Sequence, residues 1–326
     1  MQSLHDIPPA LFCSGFSINR HSLFSLELLK TLRLTWHARR VFTERIQNLH
    51  RELPSFVSIG SPNGTIGAGF LGMTFAPFMV NDPDKMPHNV VTPRKIDEGR
   101  FLRRLSLLKD LENQYSESGA KARVKDHKDI YINAANLIKS PNLKCFDISM
   151  ENEKTHEAYG KTYFGKACLL ARRLIEHGVT FVEVESENWD THYAHFDRIK
   201  SLNTAADQGF SALVEDLRQK GILDKTLVVM MGEFGRSPVI NKNTGRDHFP
   251  KAFSIVIAGA RIKKGFVYGA TNSDGMEIKD NPVTIGDLFC TLYKALDIDP
   301  TKENYGSSNR PIRIVDKGKI VKQIFS

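Results

Sequence analysis

Three short apolar runs rich in β-branched residues, at 179–184, 226–231 and 253–258, constrain the fold of this chain more than any other feature. Runs of this length, buried on both faces, are strands of a parallel or mixed sheet, and parallel strands must be joined by crossovers that are usually helical. The intervening segments have that character. Residues 196–220 are predicted as a long amphipathic helix closed by Gly221, and residues 163–177 as a helix stopped by Gly178. Two more helices are predicted at 97–118 and 121–139, the first with Phe101, Leu105 and Leu108 at three- and four-residue spacing, the second ended by Pro141. A late helix covers 282–296, with Thr284 as its cap. Residues 54–59 read as a further strand ahead of a glycine-rich loop at 60–72. Strand, helix, strand, loop, strand, helix is the rhythm of an α/β fold with a mostly parallel sheet covered by helices. Ligand sites in such sheets gather beyond the carboxyl ends of the strands.

Composition narrows the function classes. A chain of 326 residues can bury a sizeable core, and its net charge of +8 is modest and widely spread. Dense basic stripes and aromatic RNA-binding signatures are absent, so no nucleic-acid partner is expected. No window approaches eighteen uninterrupted apolar residues, so no integral membrane segment is expected either. The N-terminus does not read as a secretory signal: His5, Asp6, Pro8 and Pro9 come early, and residues 11–16 are too short and broken for its apolar core. Cys13, Cys145, Cys168 and Cys290 have no paired metal spacing and read as buried thiols. The loop at 60–72 lacks the Lys-Ser/Thr ending of a phosphate-binding P-loop. No Gly-x-Ser-x-Gly elbow is present, which disfavours an α/β-hydrolase, and Gly67-Ala68-Gly69 in the glycine-rich loop is too weak a signal to carry a dinucleotide-binding reading.

The chemistry is concentrated just past the apolar runs. Trp189-Asp190-Thr191-His192 follows the first, Gly232-Glu233-Phe234-Gly235-Arg236 the second, and Gly245-Arg246-Asp247-His248 precedes the third. In extended backbone Asp190 and His192 point the same way and could share one metal ion; alternatively Asp190 caps the helix that begins near Phe196, or the turn before it. Glu233 directly follows an apolar strand, where an unpaired charge is costly. A metal would offset that cost, and so would an ion pair with Arg236 or Arg246. Arg236, after a glycine, can turn back to hold an anion in two-pronged geometry. Asp247 and His248 can serve one metal together, or one can ligate while the other orients it. Asn241, Lys242 and Asn243 add polar groups, and His195 reads as a solvated histidine at a helix entry. Strand-end Asp, His and Glu fit metal-assisted hydrolysis of an anionic ester.

At these residues the chain resembles a large bacterial family known as domain-of-unknown-function family 1501, placed in the alkaline phosphatase and sulfatase-like superfamily. The resemblance runs from about Leu53 to the C-terminus, through Gly67-Ala68-Gly69-Phe70-Leu71-Gly72, the three motifs above, and Val267-Tyr268-Gly269-Ala270-Thr271. It implies a three-layer α/β/α sandwich with a divalent metal ion (zinc, calcium, magnesium or manganese) at the sheet's carboxyl edge. Asp190, His192, Glu233, Asp247 and His248 match as metal ligands, and Arg236 and Arg246 as contacts to the substrate anion. Members usually begin with a secretion signal and then a Gly-Gly-x-x-Ser/His-x-Asp-like segment on the first strand. Neither is legible here, so localisation stays open. Residues 1–52 look divergent, with a mixed apolar stretch at 22–34, and the α/β domain at 53–326 is expected to lack its first strand and part of its metal site. The expected function is hydrolysis of phosphate or sulfate esters, of small molecules or glycans, with activity impaired by that loss. The alternative is a non-catalytic homologue that binds anionic glycans or a protein partner.

Overall fold

The structure is a computed structural model that describes residues 10–14, 52–60, 73–90, 96–117, 121–305 and 310–326. Its strands are β1 (Ala10–Ser14), β2 (Phe56–Ile59), β3 (Phe78–Val80), β4 (Phe181–Glu185), β5 (Leu227–Met231), the short β6 (Gly235–Arg236) and β7 (His248–Phe249), β8 (Val256–Gly259), and two small antiparallel pairs, β9 (Ala270–Thr271) with β10 (Ile278–Asp280) and β11 (Glu303–Tyr305) with β12 (Pro311–Arg313). The helices are α1 (Glu98–Glu117), α2 (Lys121–Lys139), α3 (Glu153–Tyr159), α4 (Tyr163–Glu176), α5 (His195–Gln219) and α6 (Ile285–Ala295). Six strands make one sheet in the order β3-β2-β4-β1-β5-β8. Neighbours from β3 to β5 are parallel, and β8 closes the edge antiparallel to β5. The fold is therefore mixed α/β with a mostly parallel sheet.

One expectation fails here. The sheet does not lack a strand at its centre: Ala10–Ser14 lies between β4 and β5, with Ala10 opposite both Phe181 and Leu227. Five residues among prolines and histidines carry no readable period. What makes them a strand is the unpaired hydrogen-bonding edge of two strands far along the chain. The mixed apolar stretch at 22–34 and the glycine-rich loop beyond Gly60 lie outside the described residues.

Alternation along the strands sends side chains to two separate cores. Val57, Ile59, Val182, Val184 and Val228 face a cluster built with Ala167, Leu170 and Leu174 of α4 and Leu213 and Leu217 of α5. Phe56, Phe181, Leu227, Val229 and Met231 face Leu288, Phe289, Leu292 and Tyr293 of α6, with Ile314 and Val315. Strands buried on both faces explain why the runs read as largely apolar, interrupted inside β4 by Glu183, whose carboxylate accepts from the Ser58 hydroxyl at 3.0 Å. Each such side chain contributes about 1.5–3 kcal/mol of burial.

Helix ends follow local chemistry. Thr162 caps α4 by accepting from the Gly165 N–H, and Gly178, at φ +88°, supplies the left-handed turn beyond the helix. Thr284 and Asp287 form a reciprocal capping box at the start of α6. On the α4–α5 side the fully buried Arg172 reaches Glu151 at 2.9 Å, Glu176 at 2.7 Å and Asp216 at 2.8 Å. Its neighbour Arg173 pairs with Glu151 and donates to the carbonyls of Cys145 and Lys144. Cys145, Cys168 and Cys290 are buried, and burial pushes the Cys145 thiol up to about 12, far from reactive. Among the described residues no helix is long and apolar enough to cross a membrane.

Candidate metal centre

The site is assembled from two loops at the carboxyl edge of the sheet. The first leaves β4 and runs to the start of α5. Asn188 (φ +70°) and Ala194 (φ +45°) both take left-handed backbone and bracket the segment that carries Asp190 and His192. The second leaves β5, forms the antiparallel ribbon β6–β7, and sets Arg236 directly opposite His248.

The two loops are laced together through backbone. The Arg246 N–H donates to the Thr191 carbonyl, the His195 N–H to Thr244, and the Ala194 N–H to Asn243. The Asn241 side-chain amide donates to the His192 carbonyl at 3.0 Å. Gly245 is required by this packing: a Cβ there would lie 1.9 Å from the His192 carbonyl oxygen. Thr244 beside it sits at φ +54°, a conformation that β-branched residues rarely accept.

This lacing brings Asp190, His192 and His248 to one point. Asp190 Oδ1 is 3.1 Å from His192 Nε2 and 3.0 Å from His248 Nε2, and the two imidazole nitrogens are 3.1 Å apart. Ligand atoms at roughly 2.0–2.1 Å from one ion stand about 3 Å from each other, so the triangle has the dimensions of one face of a coordination polyhedron. The His192 Nδ1–H faces Asp247 Oδ1 at 2.9 Å, and that oxygen also accepts from the Asn241 amide at 2.9 Å. Holding the proton on Nδ1 leaves the Nε2 lone pair aimed into the triangle, as in carboxylate–histidine–metal arrangements. His248 is backed by the Phe234 ring at 4.4 Å.

Charge at the triangle is balanced by Arg236, whose guanidinium is 2.7 Å from Asp190 Oδ1. Burial disfavours ionisation of Asp190. Hydrogen bonds from His248 and Arg236, and the nearby positive charge, outweigh it and hold the carboxyl below its ordinary value. Asp247 is lowered as well, by its hydrogen bonds with Asn241 and His192.

The remaining expected site residues take other places. Glu233 is half-buried and outside the triangle, with no ion pair among the described residues, so neither pairing with an arginine forms. Burial pushes its carboxyl upward, Arg236 offsets this in part, and Asp190 adds to it. Asp247 is separated from the triangle by the His192 ring and orients that ring. Arg246 is turned away: it donates to the carbonyls of Ser237 at 2.6 Å and Pro238 at 2.9 Å, with Phe196 beneath it at 6.0 Å. It braces the loop. Asp190 is no helix cap, since α5 starts after Ala194 with no side-chain cap.

His195 differs from its expected solvated state. It is buried, with Nδ1 2.7 Å from Thr191 Oγ1, and burial, then the charges of Arg246 and Arg236, hold it below its ordinary value. Thr191 and His195 thus pin the segment that carries Asp190 and His192 from inside. Arg198 pins it from the other side, donating to the carbonyls of Asp190 and Asn188. Nothing in the spacing of Thr191, His195 and Arg198 announces these roles.

The chain belongs to the family described as "Protein of unknown function (DUF1501)", which it matches over residues 40–325. No curated protein and no solved structure matches it.

Proposed function

We propose that this protein is a metal-dependent hydrolase of phosphate or sulfate esters, built on a three-layer α/β/α sandwich of the alkaline phosphatase and sulfatase-like kind. One observation carries the proposal: three donor atoms of Asp190, His192 and His248, mutually 3.0–3.1 Å apart, at the carboxyl edge of a mostly parallel sheet. Two imidazoles and one carboxylate favour zinc over calcium, magnesium and manganese, which prefer oxygen-rich sites. A divalent ion there would supply a Lewis acid for the ester's anionic oxygens. The chain's own contributions are orientation and charge. Asp247 and Asn241 fix the His192 ring, and Gly245 keeps the second loop in register. Arg236 stands beside the triangle with a planar fork of donors suited to a tetrahedral anion.

The test is metal analysis of the purified protein, together with turnover of a panel of phosphate and sulfate esters. Near-stoichiometric metal that falls away in His192→Ala and His248→Ala, and turnover abolished by either change, are expected. Metal-free protein after exposure to zinc and manganese, with stability unchanged in both variants, would sink the proposal. A second reading is a non-catalytic homologue that binds anionic glycans or a protein partner. The direct Arg236–Asp190 pair favours it, because a guanidinium already neutralises the carboxylate the ion would need. Anion binding by protein that turns over no ester would decide for that reading.

A further inference from the structure

A cleft of about 460 Å³ opens on the same edge of the sheet, over the carboxyl ends of β2, β3 and β4 and beside the first turn of α4. Its volume is that of a small-ligand site, within the roughly 300–1,000 Å³ such sites occupy. One wall is Ser186, Glu187 and Asn188, the stretch of chain that leads directly into Asp190. The Arg198 guanidinium donates to the Asn188 carbonyl at 3.3 Å and to the Asp190 carbonyl at 3.4 Å. Cleft wall and metal triangle are therefore held by one side chain and keep a common frame.

The chemistry of the cleft is unlike that of the triangle. No lysine or arginine lines it, so it is no seat for an anionic head group, which belongs beside Arg236. Asn81, Tyr163, Ser186 and Asn188 bring amide and hydroxyl groups, and Phe164, Leu202 and Ala205 give an apolar base. Tyr163 is 44% exposed, its hydroxyl donating to the Asn81 carbonyl at 3.2 Å. Its position is therefore set while a large part of its surface stays open. Glu185 is buried and engaged within the protein. Gly60 leaves it room, since a Cβ there would stand 2.6 Å from its Oε2. Glu187 is the one exposed carboxylate of the wall. The N-terminus of α4 already has its Thr162 cap and faces these carboxylates, so it offers nothing to an anion.

An open aromatic ring, several neutral hydrogen-bonding groups and one carboxylate are the complement of a polyhydroxylated ring. Its C–H face lies on the aromatic side chain, and its hydroxyls donate to amide and carboxylate oxygens. A cationic ligand would call for several exposed carboxylates instead. We infer that this cleft binds an uncharged sugar residue, the alcohol half of the ester whose anionic half lies at Asp190, His192 and His248. Its place in the reaction rests on the hydrolase reading; binding of the sugar does not.

The test is saturation-transfer NMR on the full chain, treated with chelator, against the methyl glycosides of glucose, galactose, mannose and fucose, with tetramethylammonium as the cationic control. Transfer to at least one glycoside is expected without metal. It should weaken by at least about tenfold, the loss of roughly one anchoring contact, in Ala205→Trp, which fills the cleft, and in Asn188→Gly, which keeps the left-handed backbone. A cooperative melt of both variants shows that they fold. No transfer to any glycoside, equal transfer in both variants, or transfer to tetramethylammonium alone overturns the inference. Glycoside binding without ester turnover under any metal overturns only the hydrolase reading. Ester turnover without glycoside binding overturns only the assignment of the cleft.

Discussion

Gly245 is where the candidate site tolerates least. It sits against the His192 carbonyl with no room for a Cβ, and its neighbour Thr244 already holds a left-handed conformation. Gly245→Ala is expected to cost about 1–3 kcal/mol and to push the two loops apart. A thermal melt and metal content measured together check this; a variant that keeps both would mean that the loops are not packed as described. Asp247 is the opposite case, an exposed carboxylate whose work is done through another side chain. Asp247→Asn is expected to leave the melt nearly unchanged and to weaken metal binding by about 10–100-fold, as loss of a partner behind a ligating histidine does. Competition with a chelator reads that affinity, and an unchanged value would remove Asp247 from the site.

At the scale of elements, α4 depends on burying charge. Arg172 is 1% exposed, with Glu151, Glu176 and Asp216 around it. Burial alone would raise Glu151, but hydrogen bonds and charge from Arg172 and Arg173 outweigh it, and the carboxyl sits below its ordinary 4.5. A carboxyl lowered by folding stabilises the protein at every pH above its unfolded value, and that contribution is lost as pH falls through the lower, folded value. Glu151→Gln, which leaves two buried guanidiniums short of a partner, is expected to cost about 3–5 kcal/mol near neutral pH. Its deficit against the parent should hold from pH 7 to about 5 and narrow below about 4. Melting temperature against pH for both proteins measures this, and a deficit independent of pH would assign the loss to packing.

At the scale of the whole molecule, β1 is the element on which the sheet turns. It is paired on both sides, so Phe12→Pro removes a backbone donor and forces φ in a central strand. Loss of the cooperative melt is expected from circular dichroism. A variant as stable as the parent would show that β4 and β5 do not need a strand between them.

The chain's local texture carried a great deal. The runs at 179–184 and 226–231 read as strands because their residues are buried on both faces, and Gly178, Gly221 and Thr284 mark helix ends by conformations and hydrogen bonds that need no distant partner. Asp190 and His192 were legible as a pair because a strand end sets their direction, and His248 because it stands beside a carboxylate in a shaped loop. Which carboxylate meets the two imidazoles and which stands behind one of them was not legible. Glu233 and Asp247 look as suitable in one dimension as Asp190, and only the lacing of the two loops separates them. Arg236 and Arg246 likewise differ only in which way the β6–β7 ribbon turns them. Local sequence, then, determined the elements and the kinds of side chain at the sheet's edge, since propensity, capping and period act over a few residues. Tertiary structure alone decided that Ala10–Ser14 is a strand, that three donor atoms converge, and that a cleft without basic side chains opens beside them. Those are relations between segments brought together only when the sheet closes.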